Sequence, residues 1–429
     1  MSRGLPQRSS RRCMLQTTAA LGVTSVAGCT DLGFWGPSAG EEKWEFTSSG
    51  DRPGSGFFSS PTVVDGTVYI GGPGALYALD AATGDEEWTF TDPSHVVRSS
   101  PTVSDGTVYV GGPDETLYAV DAETGEREWV FTEPSRIVRS SPTVFDGTVY
   151  VGADGLYAVD GQTGEREWRF DESFGWTPSS PTVFDETVYI LFTPSTDPEH
   201  HEFGLFAVDA ATGEREWAFT GHAGIRSTHT SSPTVADGTV YVGAPDETLY
   251  AVDAATGERE WAFTEPAMHV SSSPTVFDGT VYVGAVEEWE HERHGDSDAV
   301  HSGLYAIDAE TGEREWMFPT DEVLNSSSPT VSGGVVYVGS NDQRVGVLDG
   351  AMYAVDAEIG EQVWKFTEPP DGVGSSPTVV DGTVYFGTSG TTHDYDGAVF
   401  AVNAGVDGSS AGSRVRLGTL GHHDEAPRN

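Results

Sequence analysis

The sequence predicts an all-β fold, an eight-bladed β-propeller of four-stranded blades, and three observations carry that reading. The string Ser-Pro-Thr occurs eight times, with its proline at Pro61, Pro101, Pro142, Pro181, Pro233, Pro274, Pro329 and Pro377. These prolines stand 40, 41, 39, 52, 41, 55 and 48 residues apart, the length of one propeller blade. Each unit closes on a tryptophan, at Trp88, Trp129, Trp168, Trp217, Trp261, Trp316 and Trp364, and an eighth, Trp44, stands ahead of the first unit.

Within a unit each strand has its own signal. The proline opens strand A, the innermost strand, whose free edge tolerates a missing N–H. Asp-Gly at 65–66, 105–106, 146–147, 237–238, 278–279 and 381–382 makes the tight primed turn into strand B. Gly333-Gly334 serves the same purpose, whereas Asp185-Glu186 departs from the pattern and makes a less favourable turn. Strand B carries a tyrosine (Tyr69, Tyr109, Tyr150, Tyr189, Tyr241, Tyr282, Tyr337, Tyr385), and strand C reads as Leu76-Tyr77-Ala78-Leu79-Asp80. Thr-Gly at 83–84, 124–125, 163–164, 212–213, 256–257 and 311–312 marks the turn before the tryptophan strand D. The last unit lacks a tryptophan strand, and residues 43–47 are such a strand with nothing before it. The amino-terminal strand therefore completes the last blade and removes an open edge. Residues 414–417 (Arg-Val-Arg-Leu) are the alternative closing strand, without the tryptophan.

The pattern Ala78-x-Asp80-x-x-Thr83-Gly84-x-x-x-Trp88 resembles the tryptophan-docking repeat of the pyrroloquinoline-quinone (PQQ)-like, quinoprotein alcohol dehydrogenase-like eight-bladed propellers. It returns at Asp121/Trp129, Asp160/Trp168, Asp209/Trp217, Asp253/Trp261 and Asp308/Trp316. In Asp356/Trp364 an isoleucine, Ile359, replaces the threonine, and Asn403 replaces the aspartate of the last unit. The resemblance covers residues 41–403. It implies that each tryptophan packs between neighbouring blades and that the Asp and Thr hydrogen-bond the turn.

The 429 residues hold 67 acids against 22 bases, a formal charge of -45. Nucleic acid is excluded as a partner, because its phosphates are repelled by such a surface. Only Lys43 and Lys365 are lysines. This composition resembles that of proteins from extreme halophiles, where molar salt shortens the Debye length to about 3 Å and removes most self-repulsion.

Residues 1–28 read as a targeting segment with four arginines and no acid. Arg11 and Arg12, in Ser10-Arg11-Arg12-Cys13-Met14-Leu15, resemble the twin-arginine export motif. Val26-Ala27-Gly28-Cys29 resembles a lipobox, in which cleavage leaves a lipidated amino-terminal Cys29. Cutting there removes four positive charges and takes the net charge from -45 to -49. No cysteine pair remains, so disulfides play no part in the fold. The expected organisation is a signal peptide (1–28), a linker (29–40), the propeller (41–404) and a flexible acidic or polar tail (405–429). The expected location is the outer face of the cytoplasmic membrane, reached through the lipid alone, as a monomer.

Loops A–B and C–D lie on one face and loops B–C and D–A on the other, here called the top. The length variation falls on the top face, in segments 192–203, 220–231, 286–303, 340–350 and 388–397, where a rigid scaffold usually carries binding. The order of the 192–203 loop is left open by the sequence, whereas the charge density of 286–303 argues against its being ordered when unbound. Ten histidines fall there too. His291, His294 and His301 form the sharpest metal candidate, for zinc or a similar ion. Their bland reading is an acidic loop with incidental histidines.

At the channel mouth, three residues before each Ser-Pro-Thr proline, stand Phe58, Arg98, Arg139, Pro178, Thr230, Ser271, Ser326 and Gly374. Arg98 and Arg139 therefore sit at equivalent positions of adjacent blades, with Trp176 and His229 at or near the same rim. Two guanidiniums at one mouth suit a carboxylate or phosphate group; the competing reading pairs each with a nearby acid. The resemblance also implies a quinone and a calcium at the propeller centre with a catalytic aspartate. No cysteine pair and no matching insertion accompanies it, and the Ser-Ser-Pro-Thr segments leave only small hydroxyls in the channel. The sequence thus favours a binding or scaffolding module for an envelope or membrane protein, with no catalytic residue and no cofactor. A PQQ-dependent dehydrogenase and a small-ligand receptor at the mouth are the alternatives.

Overall fold

A computed structural model of the chain describes residues 38–48, 56–93, 95–172, 177, 179–193, 202–222, 231–265, 268–270, 272–287, 302–320, 322–324, 327–341, 350–369, 372–390 and 397–410. Its strands pair into eight antiparallel sheets, each one blade. In the third blade these are Thr143–Phe145, Thr148–Gly152, Leu156–Asp160 and Arg166–Phe170. Asp65, Asp105, Asp146, Asp185, Asp237, Asp278 and Asp381 all turn A into B with φ of 47–50°. Glycine follows in six of these turns. At the seventh Glu186 takes φ 64°, a left-handed conformation that strains a side-chain-bearing residue, as the sequence anticipates.

Three circles of hydrogen bonds join the blades. On the inside, Ser60 N–H donates to Ser100 Oγ at 2.9 Å, and the bond repeats from blade to blade until Ser376 N–H donates to Ser60 Oγ at 3.1 Å. Beside it Thr62 Oγ1 donates to the Pro101 carbonyl, and the series ends with Thr378 donating to Pro61 at 2.6 Å. Of the hydroxyls expected to face the channel, the second serine and the threonine of each segment are therefore committed to a neighbouring blade, while the first serine, as Ser59 from the Gly71 N–H at 3.0 Å, accepts within its own blade. The reason is that strand A has no strand on its inner side, so its end N–H needs a partner; the next blade's serine supplies one. Further out, Tyr109 OH and Trp129 Nε1 both donate to the Gly161 carbonyl of the next blade, at 3.1 and 2.9 Å. The same double donation recurs from Tyr385 and Trp44 to Ala81.

The docking turns follow the pattern too. Asp160 Oδ1 accepts from the Thr163 N–H at 2.7 Å and from its hydroxyl at 2.8 Å. At Asp356 only the backbone N–H groups of Glu358 and Ile359 donate, and Asn403 Oδ1 caps the Gly405 N–H. These donors stabilise the charged form, so the Thr side chain and backbone hold Asp80, Asp121, Asp160, Asp209, Asp253 and Asp308 below the usual carboxylate range. The folded carboxyls bind protons less readily than the unfolded ones. Their contribution is present above the unfolded value near pH 4 and is lost as pH falls through the lower folded value. Acid unfolding of an Asp160→Asn variant should accordingly depend less steeply on pH below 4 than that of the wild type; equal slopes would contradict this.

Every strand C–D pair carries a register shift at the same place, as at Ala158/Val159 opposite Trp168 and Arg166. This bulge re-aims the residue before the tryptophan. Glu167 Oε2 thereby accepts from Thr148 Oγ1 at 3.0 Å, and five other blades repeat the bond. In the seventh blade both partners are valines, Val335 and Val363.

The last blade closes as expected. Glu42–Thr47 pairs antiparallel with Ala398–Asn403, setting Trp44 opposite Ala401. There Lys43 takes the bulge position and donates to Thr383 Oγ1 at 2.6 Å. The edge offered to residues 414–417 is thus occupied, and those residues lie outside the described ones. The sixth blade departs from four strands: Met268–His269 adds a fifth, pairing with Thr280–Glu287 above Thr275–Phe277.

Candidate functional site: the top mouth of the channel

A wedge positions the mouth residues. Val97 is fully buried and its N–H donates to the Gly72 carbonyl at 3.1 Å; Val138 is buried likewise and donates to Gly112 at 3.2 Å. Each valine lies against a glycine of the preceding blade, Gly71 or Gly111, where a Cβ would come within 2.6 Å of it. With the valine pinned inward, the next side chain is left on the solvent side. Arg98 and Arg139 are accordingly exposed at the mouth of adjacent blades.

Arg98 stacks its guanidinium 4.2 Å from the centroid of the Phe58 ring, the equivalent residue of the first blade. Phe58 in turn lies over Gly374, the equivalent residue of the eighth, where a Cβ would approach the ring to 2.9 Å. Blades eight, one, two and three thus contribute a continuous row: Gly374, Phe58, Arg98, Arg139. The ring removes water from one face of the guanidinium while the rest of the side chain stays solvated. That desolvation, and then the like charge of Arg139, hold Arg98 below the ordinary arginine value, although it stays a cation at any working pH.

No described acid explains the placement of Arg98. Arg127, Arg166, Arg169, Arg215 and Arg314 each meet a carboxylate, whereas Arg98 forms no ion pair among the described residues. A planar cation on an aromatic shelf beside a second guanidinium presents its donors to an anion with two or more oxygens. Sequence reasoning placed Phe58 and both arginines in this column but gave Phe58 no role; its place one blade before Arg98 was the available signal for the stacking. Trp176, His229, His291, His294 and His301 lie outside the described residues, as do Cys29, Arg11 and Arg12. Among the described residues no three His, Cys, Asp or Glu side chains converge on a point. Calcium takes six to eight oxygen ligands, commonly several carboxylates. The described channel residues do not furnish that set, since their hydroxyls are committed to bonds within and between blades and their charged groups at the mouth are cations. They do not fit a quinone–calcium centre. No helix among the described residues is long and apolar enough to cross a membrane.

The family model described as outer membrane protein assembly factor BamB, PQQ_2, matches residues 34–169, 132–217, 155–289 and 298–409. No curated protein matches the sequence. Among solved structures, the quinohemoprotein alcohol dehydrogenase ADHIIG from Pseudomonas putida HK5 is similar with a TM-score of 0.65 and 20% identity, over 91% of this chain and 78% of that one. BamB from Moraxella catarrhalis is similar with a TM-score of 0.61 and 16% identity, over 84% and 99%. A europium-containing methanol dehydrogenase gives 0.63 and 16%, over 85% and 93%. At these identities the likenesses show a shared fold, which enzymes and an assembly factor both use. Matched by the family model over most of its length, the chain belongs to the PQQ_2 family, the repeat propellers described as outer membrane protein assembly factor BamB.

Proposed function

We propose that this chain is an exported, lipid-anchored propeller that works as a binding or scaffolding module, gripping an anionic group of an envelope or membrane protein at its top mouth. The observation that carries the reading is the row Phe58–Arg98–Arg139, with Arg98 unpaired by any described acid in so acidic a chain. The family description, an assembly factor, supports a scaffold. The repeat's tryptophans, aspartates and hydroxyls are spent on holding blades together, which leaves the top face as the variable surface. The Arg11-Arg12 motif and Cys29 support export and anchoring, and the acidic surface suits high salt.

The test is capture from native membranes at native salt, with the lipidated protein and an Arg98→Glu/Arg139→Glu variant as baits. A discrete partner held by the first and lost by the second is the expected result. A partner retained equally by both would overturn the placement of the site. A free small anion at the same mouth is the second reading, favoured by the same stacked pair. It would stabilise the wild type by RT ln(1 + [L]/Kd) and the variant not at all.

A further inference from the structure

We propose that the lower end of the channel binds a neutral or amino sugar, whose hydroxyls take the open inner edges of the first and second blades. The chain itself shows the chemistry of such an edge. Because Glu42–Thr47 already fills the last strand position, the chain past Asn403 turns inward beneath the seventh and eighth blades. Val406 lies on Gly333, where a Cβ would meet its side chain at 2.8 Å. The Gly382 N–H donates to the Gly408 carbonyl at 3.0 Å, and the Asp381 N–H to Ser409 Oγ at 3.1 Å. Ser410 Oγ then accepts from the Val379 N–H and donates to the Val379 carbonyl, each at 3.1 Å. One hydroxyl thus satisfies both backbone groups that the middle residue of strand A turns to the channel. Residues 405–410, expected on sequence to open a flexible tail, are bound to the blades.

The same two groups stand open on the neighbouring blades. Val63 pairs with Val68 and Val103 with Val108 in the register that Val379 keeps with Val384. Their N–H and carbonyl therefore also point away from strand B. Val63 is 5% and Val103 8% exposed, and no described group bonds to what they turn inward. Buried backbone groups require a partner. Beside them opens a cavity of about 1070 Å³, lined by both valines, Ser104, Asp65, Asp105 and Asp381. Ligand pockets commonly enclose about 300–1,000 Å³. The last residue of strand A makes this room. It is Phe145, Phe184 and Phe277 in the third, fourth and sixth blades, but Val64, Ser104 and Val380 in the first, second and eighth. In the seventh, Gly408 lies over Ser332.

The lining selects the ligand. Strands A of neighbouring blades approach within 8 Å at Cα, so hydroxyls on one sugar ring, or on two joined rings, reach both valine edges. The Ser104 hydroxyl, bonded to no described residue, offers a further donor and acceptor. The three carboxylates accept from additional hydroxyls in charge-assisted bonds and repel an anion. The one cation lining the cavity, Lys43, is held by Thr383. Acidic sugars are thus refused, neutral ones accepted and amino sugars favoured, on the face opposite the arginine mouth.

The test is retention of the labelled full chain, at native salt, on immobilised neutral, amino and uronic-acid oligosaccharides. Retention on neutral or amino sugars, and none on uronic acids, is the expected result. A Val64→Phe/Ser104→Phe variant imports the residue that three other blades carry, and its urea midpoint reports whether it folds. Asp65→Asn/Asp105→Asn keeps residues suited to the left-handed turn. Each variant is expected to weaken retention about tenfold or more, and Arg98→Glu/Arg139→Glu to leave it unchanged. Displacement by the matching monosaccharide would assign a free sugar; displacement by the oligosaccharide alone would assign a glycan chain. Retention on none of the neutral or amino sugars would overturn the proposal and leave the cavity to water. So would retention that both lower-face variants keep, or that Arg98→Glu/Arg139→Glu abolishes.

Discussion

Replacing Glu42–Thr47 by a glycine–serine segment of equal length will open the ring and cost more stability than any single substitution in a blade. The replacement removes the pairing to Ala398–Asn403, the Trp44 indole bond to Ala81 at 3.0 Å and its ring contact with Tyr385 at 5.9 Å. Burying such a tryptophan is worth about 3–5 kcal/mol by truncation, within a total stability of about 5–15 kcal/mol for a typical domain. The exposed strand adds a second liability, since an unpaired apolar edge recruits another chain. Urea unfolding followed by tryptophan fluorescence should show the midpoint fall sharply, and sedimentation should show self-association. Retention of the wild-type midpoint would mean that another segment closes the last blade.

Gly164→Ala will destabilise the protein by about 2–4 kcal/mol. Gly164 has φ +71°, and an added Cβ would lie 2.7 Å from the Trp129 indole of the preceding blade. A left-handed alanine costs about 1–2 kcal/mol, and forcing extra volume into packed surroundings costs about 1–3 more. Gly147→Ala is the matched control: its φ is +80°, but nothing stands within 4 Å of the new Cβ. The difference between the two in urea unfolding isolates the indole contact. Equal losses would show that the glycines serve conformation alone and that the tryptophan does not dock there.

The sequence announces this fold because each repeat states its turns and its docking residues in full. Asp-Gly demands a primed turn, Thr-Gly demands the docking turn, and Trp44 without a unit before it demands ring closure. What it does not announce are features that break the repeat. Nothing in Met268–His269 marks a fifth strand. A serine hydroxyl reads the same whether it faces a channel or, as Ser100 does, the Ser60 N–H of the preceding blade. The inward path of Val406 depends on Gly333, seventy-odd residues earlier, and the pair becomes meaningful only in three dimensions. At the top mouth the repeat column brought Arg98 and Arg139 to neighbouring blades. The stacking of Arg98 on Phe58, which gives the pair its direction, depends on the bare Gly374 behind the ring.

Photocrosslinking in native membranes tests the central claim, that this propeller binds through its top mouth, most directly. A benzoylphenylalanine would replace Phe58 beside Arg98 in one protein and Phe184, 40% exposed at an A–B turn on the opposite face, in another. We predict that position 58 yields one discrete adduct, abolished by Arg98→Glu/Arg139→Glu, while position 184 yields none. An adduct from position 184 alone would contradict the account and move the interaction to the lower face.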